Sequence, residues 1–286
     1  MKGIILAGGT GSRLYPVTKV ISKQLLPLYD KPMIYYPLSV LMIAGIKDIL
    51  IICSPDDIES YKSLLSDGNQ LGIQISYKIQ NEPKGLADAF IVGEEFIDKS
   101  KVALILGDNL FYGSGFGNLI RSAFSFDHGA SILGLKVKNP SEYGVAEIDN
   151  NGGIINLVEK PEKYISDIAI PGLYFYDNSV IQKAKSLIPS QRGEIEITDL
   201  NKCYLEKNLL NLSLLPRGIT WMDTGTPENF YKASEFVRVM EQSTGKKIAC
   251  IEEVALLNKF INLNSFKSLI KAYPNGDYKN YLKSLL

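Results

Sequence analysis

The residues that could do chemistry begin with a glycine loop, Leu6-Ala7-Gly8-Gly9-Thr10-Gly11-Ser12-Arg13-Leu14, set directly after an apolar run. Glycines let backbone N–H groups come close to a phosphate, and two or three such amides form an anion nest. Arg13 stands where a guanidinium could grip phosphate oxygens through two parallel hydrogen bonds. The loop has no Gly-Lys-Ser/Thr, so it is not a Walker A motif, and Ser12-Arg13-Leu14 breaks the third glycine of the dinucleotide fingerprint. Alone, it also reads as a tight strand-to-helix turn. Lys23, in Ser22-Lys23-Gln24, is a second cation able to balance a polyphosphate, or else an ordinary surface lysine.

Asp108 follows the apolar run Val102–Gly107. Open parallel sheets bind ligands beyond the carboxyl ends of their strands, so a carboxylate there suits a metal. Mg²⁺ takes one or two protein carboxylates and fills its remaining positions with water and phosphate oxygens. The plainer reading is a turn or capping aspartate. Asp223 sits beside the single tryptophan in Trp221-Met222-Asp223-Thr224-Gly225-Thr226, and spacing alone cannot bring it to Asp108. Glu159-Lys160, Arg192 and Gln80 are further polar candidates, each on its own more often a solvated residue. The one histidine, His128, precedes Gly129 and is expected in an exposed turn. Cys53, Cys203 and Cys250 form no C-x-x-C pair, and Cys53, at the end of an apolar run, reads as core. Histidine catalysis and zinc chemistry therefore lack material. Metal-assisted transfer on oxygen ligands remains.

The elements that must hold these residues follow from periodicity. Gly3–Ala7, Ile49–Cys53, Ile75–Gln80, Val102–Gly107 and Ile132–Val137 read as strands, and Met33–Ala44, Asp57–Leu65, Leu86–Phe96 and Asn118–Phe124 as helices. That alternation predicts βαβ units in a mainly parallel sheet covered on both faces. Val145–Ile148 and Ile155–Glu159, parted by Asn150-Asn151-Gly152-Gly153, read as an antiparallel hairpin, and Leu173–Tyr176 as another strand. From Pro227 to Leu286 the pattern is helical, with Thr226 as N-cap and Pro227 in the first turn. The fold expected is an α/β domain with a Rossmann-like, mainly parallel mixed sheet, an antiparallel hairpin insertion and a helical C-terminal elaboration. No linker separates the halves, so residues 1–286 read as one domain, with an α/β core over 1–226 and a helical region over 227–286.

At 286 residues the chain is long enough to bury a large core without disulfides. Its 31 Lys+Arg balance 31 Asp+Glu, which argues against a surface built to neutralise nucleic acid but allows a few cations to converge on one small anion. The apolar N-terminal run is too short for a signal peptide, and no run of about 18 apolar residues predicts a membrane helix. A cytoplasmic chain is expected.

Taken together the segments resemble the sugar nucleotidyltransferases, most closely the glucose-1-phosphate thymidylyltransferases. The glycine loop through Tyr15-Pro16, Ser22-Lys23-Gln24-Leu25-Leu26-Pro27, Asp30-Lys31-Pro32-Met33-Ile34-Tyr35-Tyr36-Pro37-Leu38-Ser39, Gly107-Asp108-Asn109, Glu159-Lys160-Pro161 and Trp221-Met222-Asp223-Thr224-Gly225-Thr226 match in the family's order. The likeness runs from Met1 to the C-terminal end. It implies transfer of a thymidylyl group from dTTP to glucose 1-phosphate, giving dTDP-glucose and pyrophosphate, with Mg²⁺, for deoxysugar biosynthesis. By resemblance, Gly8, Gly9, Thr10 and Gly11 cradle the triphosphate, Arg13 pairs with the departing pyrophosphate, and Lys23 contacts phosphate oxygens. Asp108 and Asp223 would hold the metal. Lys160 and Arg192 would face the sugar phosphate, and Tyr143, Gly144, Glu159, Ile170 and Tyr174 the hexose. Gln80 and the Pro83–Gly85 turn would read the base. The resemblance also implies a homotetramer with a regulatory nucleotide site at subunit contacts.

Two positions depart from the family's pattern: Lys84 replaces a usual acidic residue, and Pro171 a usual threonine. A UTP-preferring enzyme and a non-catalytic nucleotide-sugar sensor are the alternatives, though a sensor would be free to lose Arg13, Lys23, Asp108 and Asp223. A nicotinamide-dependent dehydrogenase is disfavoured by the broken glycine fingerprint.

Overall fold

The computed structural model describes residues 1–9 and 11–286. Strand β1 (Lys2–Ala7) enters the glycine loop, which continues into short 3-10 turns and a small antiparallel ribbon, β2 (Pro27–Leu28) with β3 (Lys31–Pro32). Then come α1 (Tyr35–Ile43), β4 (Asp48–Cys53), α2 (Ile58–Leu65), β5 (Gln74–Ile79), α3 (Asp88–Val92) and α4 (Glu94–Ile97). β6 (Val102–Leu106), β7 (Asn109–Tyr112), α5 (Phe116–Ala123) and β8 (Ala130–Lys136) follow. The second half adds β9 (Gly144–Ile148), β10 (Ile154–Glu159), β11 (Ile168–Ala169), β12 (Leu173–Tyr176), α6 (Val180–Ser186), α7 (Ile197–Leu205), β13 (Leu210–Leu214) and β14 (Thr220–Asp223). Four helices close the described chain: α8 (Pro227–Thr244), α9 (Ile251–Leu257), α10 (Leu263–Ala272) and α11 (Asp277–Lys283).

Among the described residues the main sheet has 10 strands, ordered β10-β9-β11-β8-β12-β6-β1-β4-β5, with β13 beside β8. Strands β6, β1, β4 and β5 are parallel. Antiparallel β12 then joins β6 to β8 and makes the sheet mixed. The β9–β10 hairpin is antiparallel as expected, and β11 splices it onto the edge of this same sheet. Its turn is held by Asp149 Oδ1, which accepts from the amides of Asn151 and Gly153, both at 2.8 Å.

Alternation along the parallel strands builds two cores. Ile5, Ile49, Ile51, Ala103 and Ile105 face one layer, while Ile4, Leu50, Ile52, Val102 and Leu104 face the other. The run that suggested one helix over Leu86–Phe96 is two, because the chain bends at Gly93. A Cβ there would lie 2.9 Å from the Ala89 carbonyl and 3.0 Å from Ile4, so the missing side chain lets the bend pack against β1. No α-helix follows the glycine loop: the turn over Ser12–Leu14 is 3-10, and the first α-helix begins at Tyr35. A nucleotide at this loop would therefore meet backbone amides and side-chain cations rather than an α-helix dipole. The expected N-cap holds, with Thr226 accepting from the Asn229 amide at 3.2 Å. His128 is exposed and Cys53 is fully buried, both as expected.

Candidate active site

Beyond the carboxyl ends of β1 and β6 lies a cleft of about 270 Å³, lined among others by Gly8, Arg13, Lys23, Asp108, Lys160 and Asp223. The approach of Asp108 and Asp223, which sequence spacing left open, is the work of a two-stranded ribbon. β7 and β14 pair antiparallel with Asn109 opposite Asp223. The Thr224 amide and hydroxyl then both donate to the Asp108 carbonyl, at 3.1 and 2.8 Å. Each carboxylate thus sits at a ribbon end clamped to the other.

Their surroundings differ. Lys23 forms an ion pair with Asp108 Oδ2, and Asn109 Nδ2 donates to Asp108 Oδ1 at 2.9 Å. Burial opposes ionisation of Asp108, but the Lys23 charge and these hydrogen bonds hold its carboxyl below the usual range. Asp223 Oδ1 accepts only the Gly225 amide, at 2.8 Å, among the described residues. Burial first, and the Asp108 charge second, push Asp223 up to about 6. Two neighbouring carboxylates, one held ionised and the other raised by burial and by its neighbour's charge, suit a shared divalent cation. No third His, Cys, Asp or Glu joins them as a metal cage among the described residues, which fits Mg²⁺ completed by water and phosphate oxygens.

Asn109 is the hub that sequence reasoning did not single out. Its Oδ1 accepts from Trp221 Nε1 at 2.6 Å and from the Gly172 amide at 3.0 Å, while its Nδ2 holds Asp108. The signal was an amide directly after the strand-end aspartate. Arg13 is exposed, and its guanidinium passes over Gly225, where a Cβ would lie 2.5 Å from Nη2.

The far end of the cleft gathers Tyr143, Gly144, Glu159, Lys160, Ile170, Tyr174 and Arg192. Glu159 Oε2 accepts from the Thr198 hydroxyl at 2.6 Å, and Gly144 leaves it room, since a Cβ there would sit 3.2 Å away. Arg192 is tethered to Glu196 at 2.9 Å, a partner four residues on that the sequence offered but did not announce. Lys160 adopts φ 43, a left-handed conformation that costs a non-glycine residue about 1–2 kcal/mol.

A second cleft, of about 540 Å³, is lined by Gly9, Lys23, Gln80 and Pro83 with Ser54, Asp56 and Asp57. Lys23 lines both. Gly11 and Gly85 line neither, and Thr10 lies outside the described residues. Gly85 serves by close approach: at φ 102, a Cβ would lie 2.5 Å from the Ile195 carbonyl oxygen, and the Ile195 amide donates to Lys84 at 2.7 Å.

Residues 2–239 match the family model described as nucleotidyl transferase. The chain belongs to the nucleotidyl transferase family. This nucleotidyl transferase is 51% identical over 286 residues to a glucose-1-phosphate thymidylyltransferase of Neisseria meningitidis serogroup A, covering 100% of this chain and 99% of that one. A Bacillus anthracis crystal structure, provisionally named a glucose-1-phosphate thymidylyltransferase and in complex with a sucrose, superposes with TM-score 0.78 at 39% identity. It covers 83% of this chain and 95% of that chain. A UDP-glucose pyrophosphorylase complexed with UDP-glucose gives TM-score 0.74 at 27% identity, over 84% of this chain and 98% of that one. Among the nucleotidyl transferase's departures from pattern, the Lys84 side chain turns to Glu82 at 3.4 Å. Pro171 is buried, and neither residue lines the two clefts. Among the described residues no helix of this nucleotidyl transferase is long and apolar enough to cross a membrane.

Proposed function

We propose that this chain is a Mg²⁺-dependent glucose-1-phosphate thymidylyltransferase. One observation carries the reading: Arg13, Lys23, Lys160 and Arg192 converge with Asp108 and Asp223 on one cleft, in a chain 51% identical throughout to an enzyme of that name. A phosphate oxygen of glucose 1-phosphate forms a bond to the α-phosphorus of dTTP as the bond to the β-phosphate oxygen breaks. Pyrophosphate leaves on the opposite side. Such a transfer needs alignment and neutralisation of gathering charge more than covalent help.

Gly8, Gly9, Thr10 and Gly11 present the glycine loop to the triphosphate, and Arg13 holds the departing pyrophosphate. Lys23 leaves Asp108 to meet phosphate oxygens, while Lys160 and Arg192 orient the sugar phosphate. Tyr143, Gly144, Glu159, Ile170 and Tyr174 enclose the hexose, and Gln80 with the Pro83–Gly85 turn faces the base. Asp108 and Asp223 would hold Mg²⁺, which supplies Lewis-acid neutralisation at the reacting phosphate. Assembly as a homotetramer, a regulatory nucleotide site at subunit contacts and a cytoplasmic location belong to the same reading and rest on the resemblance.

The test is pyrophosphate release from dTTP, UTP, dCTP and ATP with glucose 1-phosphate. Fastest release from dTTP is expected, with some from UTP, since a methyl group is worth only about 1–3 kcal/mol of discrimination. Fastest release from UTP would favour the uridylyltransferase reading, and release from none would favour a sensor.

A further inference from the structure

Gln80 has a partner that the mechanism above does not use. It sits just past the end of β5, its amide tied to the Cys53 carbonyl at 2.9 Å, and its side chain is buried. Its Nε2 donates to Asp88 Oδ2 at 2.7 Å, and Asp88, the first residue of α3, is itself buried. The other end of the amide, Oε1, lies on the Gly8 side, 3.3 Å from where a Cβ on Gly8 would stand. No donor to Oε1 is present among the described residues.

We infer that Asp88 is a positioning residue that fixes which way round the Gln80 amide faces the base, and so selects imide bases over cytosine. The inference rests on the reading of Gln80 as the base-facing group. A primary amide is a symmetric shape with an asymmetric function: one end accepts, the other donates. Unrestrained, it turns over and pairs with either polarity. A carboxylate offers acceptors only, so only the Nε2 end can face Asp88. That leaves Oε1 and the second Nε2 hydrogen for the ligand, an acceptor beside a donor. Thymine and uracil present the complement, an N3–H beside a carbonyl oxygen. Cytosine presents the opposite pair at those positions, an unprotonated N3 beside an amino group, and would set acceptor against acceptor. A buried mismatch of that kind is strongly rejected, because groups stripped of water stay unpaired. The turn that starts α3 holds Asp88 in place: the Ala87 amide donates to the Ile195 carbonyl at 3.2 Å, beside the Gly85 contact.

The test compares pyrophosphate release from dTTP and dCTP by the full chain, by Asp88→Asn and by Asp88→Ser. Asn is isosteric but can donate to Oε1, so it frees the amide to face either way. Both variants are expected to narrow the dTTP-to-dCTP ratio of kcat/KM at least tenfold, with the dTTP loss falling on KM rather than kcat. In a Gln80→Ala background, Asp88→Asn should no longer change that ratio. If the wild type discriminates and both variants keep its ratio, or lose turnover of both nucleotides equally, the inference is overturned and the proposed function stands. A wild type that turns over no nucleotide would overturn both.

Discussion

Asp108 and Asp223 are the same chemical group held in two different states. Lys23 keeps Asp108 ionised, while burial first and the Asp108 charge second push Asp223 up to about 6. Replacing either with alanine is expected to cost about 10³-fold or more in turnover, the equivalent of several kcal/mol of lost charge stabilisation. Pyrophosphate release measured against Mg²⁺ concentration checks this, and near-normal rates in either variant would sink the metal assignment. Lys160 separates function from stability. Lys160→Gly relieves left-handed strain of about 1–2 kcal/mol, partly offset by glycine's greater freedom when unfolded. Urea unfolding should show stability held or raised by up to about 1 kcal/mol while turnover falls about 10²-fold. A lysine kept at φ 43 without any loss on replacement would have no functional reason to be there.

Among the elements, the parallel strands were legible because burial on both faces leaves a nearly unbroken apolar run, as in Ile49–Ile52. The β7–β14 ribbon was not legible. Its strands have four residues each, and the partners Asn109 and Asp223 are far apart in sequence, a pairing with no local signature. The site shows the same division: position along the sequence pointed to Asp108 and Asp223 and the resemblance paired them, but only the ribbon explains why they meet. Asn109 and Asp88 stayed hidden because they act through other side chains. Gly225 belongs to this scale, since it follows the ribbon two residues past the end of β14 and leaves room for Arg13. Its backbone is outside the left-handed region, so Gly225→Ala should fold, with a melting temperature within about 2 °C of wild type. Its Cβ would nonetheless displace Arg13 and crowd Asp223 Oδ1 at 2.9 Å, and turnover should fall at least tenfold.

Asp177 joins four elements away from the site. It accepts from the Gly129 amide at 2.7 Å, just before β8, and from the Ser179 amide and the Tyr204 hydroxyl, each at 3.0 Å. Burial opposes its charge, but these donors win and hold its carboxyl below the usual range. A depressed folded value means stability that is fully present above the unfolded value, about 3.9, and lost as pH falls through the folded one. Asp177→Asn should therefore cost about 2 kcal/mol at neutral pH, with the gap to wild type closing only below about pH 4. Urea titrations from pH 7 to 3 give the comparison, and a gap unchanged across that range would contradict it.

For the whole molecule, the C-terminal helices share a core with the sheet. Ile251, Ala255, Phe266, Ile270 and Leu282 pack in the same buried cluster as Ile5, Ile49 and Ile51. We propose on this ground that residues 1–286 fold as one domain, the last helices included. Burying those side chains contributes on the order of 10 kcal/mol, comparable to the stability of an entire domain. Deleting residues 251–286 should leave an insoluble or non-cooperatively melting chain, and a soluble remainder melting within about 3 °C of wild type would show the tail to be separable.

Lys23 has a place in both clefts and a single charge to give. On the proposed reading, phosphates arriving in one cleft draw on the ammonium that the other also faces, so the two occupancies would share one free-energy cycle. Whatever factor the nucleotide applies to the affinity for sugar phosphate, the sugar phosphate must return to the nucleotide unchanged.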